Sequence, residues 1–114
     1  MKLTIRRDQA AKKGMFGGHK GMRFSLYCRV EISSEEQALI DKYKVQEHVL
    51  TWRETSNGQI PGMTVGDLTQ GKTWELEDVT TLLNNEEVIK DACQDFKALL
   101  QIMASFGGEE VIEI

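Results

Sequence analysis

The chain has 114 residues, of which 40% are apolar and 28% are charged, with a formal net charge of −4. This size and composition are typical of one soluble globular domain and exclude an intrinsically disordered chain. No apolar run approaches the ~20 residues of a membrane span, and residues 1–7 do not lead into a secretion signal. We therefore expect one domain over residues 1–114 that resides in the cytoplasm and does not bind membranes.

Charge is unevenly distributed along the chain. Residues 1–30 contain eight basic residues and one acidic residue, a net charge of +7. Residues 31–114 contain six basic and seventeen acidic residues, a net charge of −11. Such an asymmetry can attract a charged partner, or it can mean only that the two parts of one fold face each other.

The first two predicted strands form an antiparallel hairpin. Leu3 and Ile5 alternate with polar residues over residues 2–6, which predicts a short first strand. Residues 22–32 alternate strictly for eleven positions, which predicts a strand with one buried and one exposed face. Its apolar row is Met22, Phe24, Leu26, Cys28, Val30 and Ile32. The segment between the strands, residues 9–21, contains four glycines without an apolar period and is predicted to be a long, flexible loop.

A helix and a third strand are predicted next. Two pairs of residues have the spacing of a capping box, which predicts the start of a helix that ends near Lys44. These pairs are Ser33 with Glu36 and Ser34 with Gln37. Residues 48–53 are predicted to form a strand, whose core-facing side chains are His48, Leu50 and Trp52.

The following segment is predicted to contain a helical turn and a fourth strand. The turn covers residues 64–70 and is ended by Gly71. The strand covers residues 72–77, with Trp74 and Leu76 facing inward.

The longest predicted element is a helix from Asn84 to Phe106. Apolar residues recur there at steps of three and four, which produces one broad apolar stripe. The stripe comprises Val88, Ile89, Ala92, Cys93, Phe96, Leu99, Leu100, Met103 and Phe106. Asn84 or Asn85 is the expected N-terminal cap, and Gly107 with Gly108 ends the helix.

The predicted elements combine into a single α+β domain. Residues 110–114 add a short final strand to a mostly antiparallel sheet of about five strands. One long C-terminal helix and one shorter helix pack on one face of this sheet. We expect the apolar stripe of the long helix to cover the apolar row of residues 22–32, because these are the longest matching apolar faces.

The glycine-rich segment 12–21 is the strongest candidate for a binding site. Its glycines allow backbone amides to turn toward an anion, and neighbouring side chains add positive charge and hydrogen-bond donors. The candidate binding residues are Lys12, Lys13, His19, Lys20 and Arg23. The order of residues matches neither the P-loop nor the dinucleotide-binding fingerprint, and the segment leads into a strand where those motifs lead into a helix. The alternative is a solvated hairpin tip without a ligand.

The acidic and histidine residues do not indicate a catalytic or metal site. Glu87, Asp91 and Asp95 recur every four residues and form either a cation site or a solvated acidic face. The absence of a Glu-x-x-His pair favours the solvated face. A catalytic histidine requires a partner within hydrogen-bonding distance, and the sequence places none beside His19 or His48. His48 shares its predicted strand face with Leu50 and Trp52, so we expect it to be hydrogen-bonded and partly buried.

The two cysteines, Cys28 and Cys93, lie far apart in the sequence without a histidine or cysteine at metal-ligand spacing. Both fall on apolar faces, where a thiol packs as a small hydrophobic group. We expect both to be buried and reduced, as is usual in the cytoplasm. The sequence therefore predicts no metal and no cofactor.

The sequence favours a small, non-enzymatic binding or adaptor domain. It would meet an anionic partner, an acidic protein or another polyanion, through the basic, glycine-rich N-terminal hairpin loop. Two alternatives remain open: a small enzyme with a pocket between the sheet and the 12–21 loop, and a homo-oligomeric structural protein, such as a homodimer joined through sheet edges. A deep cavity with convergent polar groups would favour the enzyme, whereas a flat basic patch would favour the binding domain.

Overall fold

A computed structural model describes residues 1–13, 19–50, 53–55, 58–60 and 62–114. For residues 12–13, 19–20, 53–55 and 58–60 it describes the backbone only. Five strands and three helices occur in this part of the chain. In chain order they are β1 (Lys2–Lys13), β2 (His19–Glu31), α1 (Ser34–Tyr43), β3 (Arg53–Thr55), β4 (Gly58–Ile60), α2 (Val65–Gln70), β5 (Lys72–Leu76) and α3 (Val79–Ser105).

Strands β1, β2 and β5 form an antiparallel sheet with β2 in the centre. The prediction of an α+β chain with an antiparallel sheet and a long C-terminal helix is confirmed. The predicted number of about five strands in that sheet is not confirmed, because β3 and β4 pair with each other in a separate two-stranded sheet.

The hairpin of β1 and β2 is longer than the sequence predicts. Its ladder extends from Lys2 opposite Glu31 to Lys13 opposite His19, with a bulge between Ala11 and Lys13. Much of the predicted 9–21 loop therefore lies within the strands. The sequence did not predict this extension, because alternating apolar residues indicate only strands that bury one face. The extended part of the ladder is held by backbone hydrogen bonds and needs no buried face.

The core lies between β2 and α3, as predicted. Leu26 and Cys28 of β2 and Ile89, Ala92 and Phe96 of α3 are completely buried and belong to one apolar cluster. Helices α1 and α2 complete this cluster. Their fully buried side chains are Ile40, Val65 and Leu68.

Only one end of the β2 apolar row departs from the prediction. Met22 is exposed, although its position in the alternation predicts burial. It lies beyond Phe24, which is opposite Leu76, the last residue of β5. The hairpin beyond Phe24 therefore has no third strand among the described residues.

Helix α3 begins five residues before the predicted start, at Val79. Its N-cap is Asp78, not Asn84 or Asn85, because the Asp78 Oδ1 atom accepts a hydrogen bond of 2.7 Å from the backbone N–H of Thr81. This hydrogen bond lowers the pKa of the Asp78 carboxyl group. The helix ends at Ser105, and Gly107 has a φ of +89°, as expected for glycine after a helix.

The two shorter helices confirm the predicted starts. Ser33 caps α1 in a reciprocal capping box with Glu36, with hydrogen bonds of 2.9 and 3.1 Å. Thr64 caps α2 in the same way with Asp67. Gly71 ends α2, as predicted.

Two other local predictions are wrong. Residues 48–50 form no strand, since Val49 makes only an isolated bridge with Thr64, and His48 is exposed, not partly buried. Leu50 is partly buried as predicted, while Thr51 and Trp52 lie outside the described residues. Residues 110–114 also form no strand and are exposed, because no described strand lies alongside them.

The two cysteines are free thiols, and both belong to the helix–sheet core. Cys28 is buried as predicted, whereas Cys93 is only partly buried. Burial raises the pKa of the Cys28 thiol to about 12, and it also raises the pKa of Cys93.

These raised pKa values predict a loss of stability in alkaline solution. Above the pKa of an unfolded thiol, the unfolded chain releases protons that the folded chain retains, so the free energy of unfolding falls as pH rises. For Cys28 the fall should reach about 1.4 kcal/mol per pH unit between the unfolded and folded pKa values. Denaturant unfolding across this range should give a shallower pH slope for Cys28→Ala than for the wild type. Equal slopes would contradict a buried, protonated Cys28.

Candidate functional site

The five candidate binding residues all lie at one end of the β1–β2 hairpin. Lys12 and Lys13 are the last residues of β1, and His19 and Lys20 are the first residues of β2. The antiparallel register brings them together because Lys13 lies opposite His19. Arg23 follows in β2, opposite Ala10, with an exposed side chain. The side chains of the other four candidates lie outside the described residues.

The two faces of this hairpin differ in their surroundings. The face that turns toward α3 carries apolar residues near the start of β1, namely Leu3 and Ile5, which pack against the core. The opposite face carries both signs of charge. Its charged side chains include Lys2, Arg6, Asp8, Arg23, Arg29, Glu31 and Glu75. The described part of this outer face therefore carries both positive and negative side chains. The excess of positive charge in residues 1–30 lies toward the hairpin end.

Three of the four arginines in the hairpin have partners within the chain. Arg6 forms an ion pair of 3.2 Å with Asp8 and lies 4.7 Å from the centre of the Tyr27 ring. The Arg29 Nε atom donates a hydrogen bond of 3.3 Å to the backbone carbonyl of Thr69. The third, Arg7, binds a side chain of α3.

Arg7 and Glu86 form a two-point ion pair that the sequence analysis missed. Arg7 Nε contacts Glu86 Oε1, and Arg7 Nη2 donates a hydrogen bond of 3.0 Å to Glu86 Oε2. Only 7% of the Glu86 side chain is exposed, against 58% for Arg7. These hydrogen bonds and the charge of Glu86 raise the pKa of the Arg7 guanidinium.

The sequence contains one signal for this pair. Arg7 continues the alternating row of Leu3 and Ile5, so period two places it on the side that faces α3. Glu86 lies four residues after Leu82 and three before Ile89, so it belongs to the buried stripe of the helix and not to its polar face. An arginine and a glutamate at core-facing positions of two elements are expected to pair, because a buried charge without a partner is costly.

Arg23 is the remaining arginine, and it forms no ion pair with any described residue. It lines a surface depression of about 270 Å³ that also contains Asp8 and Glu75. Both carboxylates reduce the positive potential around Arg23 without pairing with it. We therefore assign Arg23 a smaller share of any anion binding than the lysines at the end of the hairpin.

The described residues offer no alternative centre for metal chemistry. In this part of the chain, no group of three or more His, Cys, Asp or Glu side chains is arranged to hold a metal ion. The acidic series of Glu87, Asp91 and Asp95 thus gains no support as a cation site.

Comparison with protein-family models, with curated proteins and with solved structures found no match to this chain. Among the described helices, none is both long enough and apolar enough to cross a membrane.

Proposed function

We propose that this chain is a small, non-enzymatic, cytoplasmic binding or adaptor domain that meets an anionic partner through the end of the β1–β2 hairpin. The observation that carries this proposal is the continuation of the ladder to Lys13 opposite His19. An antiparallel ladder holds opposite residues about 4.5–5.5 Å apart, so it gathers the basic residues of both strands into one cluster. The partner is an acidic protein segment or another polyanion.

The arginines of the hairpin differ in whether they pair with other residues of the chain, and this difference supports the proposal. Arg7 and Arg29 contact residues of α3 and α2, whereas Arg6 pairs with Asp8 within its own strand. Arg23, nearer the hairpin end, pairs with no described residue, so its charge remains available to a ligand. A short cluster of basic side chains beyond the core recognises charge more than shape, which suits an extended acidic segment.

Replacing Lys12, Lys13 and Lys20 together by alanine should weaken binding to polyglutamate by roughly tenfold or more, since each charge contributes a modest, additive part. Binding of the wild type should also decrease steeply with added salt. The measurement is the dissociation constant for a fluorescent polyglutamate peptide at two ionic strengths. The melting temperature should not change, because exposed charges contribute little to folding.

The matched control replaces three exposed lysines elsewhere, Lys42, Lys90 and Lys97, by alanine. This variant loses the same net charge from the α1 and α3 surfaces, so a purely global charge effect would weaken binding equally in both. Arg23→Ala alone should weaken binding less than the triple hairpin variant. Equal losses in the two triple variants, or no loss in either, would refute the proposal.

A further inference from the structure

The outer edge of β1 is open. The main sheet has the order β1-β2-β5, so β1 pairs on one side with β2 and with no described strand on the other. β1 spans 12 residues, and an open edge of this length presents a row of backbone donors and acceptors to any strand that can approach. Strands that add to such an edge gain main-chain hydrogen bonds and select their partner through side chains.

A second β1 strand is a poor partner for this edge. β1 contains five basic residues and one acidic residue. Pairing two copies of β1 would join two strands with a net charge of +4 each, and an excess of like charge across a strand pair is unfavourable. The edge therefore favours a short acidic strand.

Residues 109–114, which we name the acidic tail, match this requirement. Their sequence, Glu-Glu-Val-Ile-Glu-Ile, contains three acidic and three β-branched residues. The acidic tail is not paired with a strand, and its apolar side chains face solvent, with 83% of Val111 and 71% of Ile112 exposed. β-Branched residues favour strands, so this segment has strand-forming composition without a strand to pair with.

One antiparallel register pairs the charges on the outer side and two apolar residues on the side of the helices. Odd-numbered residues of β1 face α3, as the contact of Arg7 with Glu86 shows, so Lys2 and Arg6 face the other way. Placing Glu113 opposite Lys2 places Glu109 opposite Arg6 on that outer side. The same register places Ile112 opposite Leu3 and Ile114 opposite Met1 on the side of the helices. In this register Glu110 lies opposite Ile5 and Val111 opposite Thr4, so four of the six tail residues match the edge in charge or apolar character.

The direction of the acidic tail favours a second chain over its own. Met1, Leu100 and Ala104 line one open cleft, so α3 ends close to the start of β1. A tail that stayed in its own chain would leave from that point and run parallel to β1. Antiparallel pairs are slightly more stable per residue, and a tail from another copy is free to adopt that direction.

We infer that two copies of this chain associate by exchanging their acidic tails, each adding an antiparallel strand to the open β1 edge of the other. The interface is self-complementary, with each edge taking one tail. This interface is separate from the basic hairpin end, so the inference goes beyond the proposed binding of an anionic partner.

Charge reversal tests this exchange on both sides of the interface. The edge variant carries Lys2→Glu and Arg6→Glu, and the tail variant carries Glu109→Lys and Glu113→Lys. All four side chains are exposed. The dimer dissociation constants of the wild type, of each variant alone and of an equimolar mixture are measured by analytical ultracentrifugation, with melting temperatures as the control for folding.

The wild type should dimerise, and each variant alone should dimerise at least ~30-fold more weakly, because attractions across the interface become repulsions. The mixture should form a heterodimer, since the acidic edge then meets a basic tail and the basic edge meets an acidic tail. A monomeric wild type would overturn the inference, and protection of the tail amides from hydrogen exchange in that monomer would show pairing within one chain instead. Dimers that persist in both variants, or a mixture that stays monomeric, would also overturn it.

Discussion

Phe96→Ala is expected to lower the free energy of unfolding by about 3–5 kcal/mol, which is the usual cost of removing a buried phenyl group. Phe96 lies in the middle of α3, none of its side chain is exposed, and it belongs to the apolar cluster that includes Leu26 and Cys28 of β2. A natural domain of this size has only about 5–15 kcal/mol of stability, so this one change removes a large part of it.

The same helix provides a control for this experiment. Phe106, the residue after the last residue of α3, is 63% exposed, and the centre of its ring lies 5.3 Å from the centre of the Tyr43 ring. Phe106→Ala removes an identical side chain and should cost about 1 kcal/mol or less. Chemical denaturation of both variants gives the comparison. If Phe96→Ala melts within a degree or two of the wild type, the assignment of the core is wrong.

Replacing Arg7 by methionine should lower the melting temperature by roughly 10 °C or more at neutral pH, because it leaves the buried carboxylate of Glu86 without a cation. Methionine retains the apolar stem, so lost packing contributes little to this comparison.

Two further variants separate the ion pair from other causes. Arg6→Met removes the neighbouring arginine, whose ion pair with Asp8 is largely exposed, and should change the melting temperature little. A double variant with methionine at positions 7 and 86 removes both charges and should recover much of the stability that Arg7→Met loses. If the double variant is no more stable than Arg7→Met, the buried charge is not the cause.

Local sequence patterns correctly predicted the elements whose buried side chains recur at a regular spacing along the chain. The alternation in β2, the capping box of α1 and the apolar stripe of α3 each lie within one segment, so each could be recognised without its neighbours. Met22 shows the limit of this reasoning, because its burial depends on where β5 stops and not on the pattern of β2. Asp78 was not predicted as the cap of the long helix, because the polar pair Thr80-Thr81 separates it from the apolar stripe.

The contacts that the sequence did not predict join distant segments. The pairing of Arg7 with Glu86 connects residues 79 positions apart. A single charged residue on each element leaves no repeating pattern in the sequence from which the pair could be recognised. The hairpin ladder beyond Met22 likewise lacks an apolar signal, because it is held by backbone hydrogen bonds. The candidate site was predictable as a cluster for a simpler reason: its residues lie at the adjoining ends of two consecutive strands, which an antiparallel pair brings together.

The most direct test of the proposed binding site is a titration of isotope-labelled protein with polyglutamate, followed through the backbone amide signals by nuclear magnetic resonance. The largest shifts should occur at residues 12, 13, 19, 20 and 23, with weaker shifts at Lys42, Lys90 and Lys97, and added salt should reverse them. Shifts that are spread evenly over all basic residues, or centred on the helices, would contradict an anion-binding hairpin.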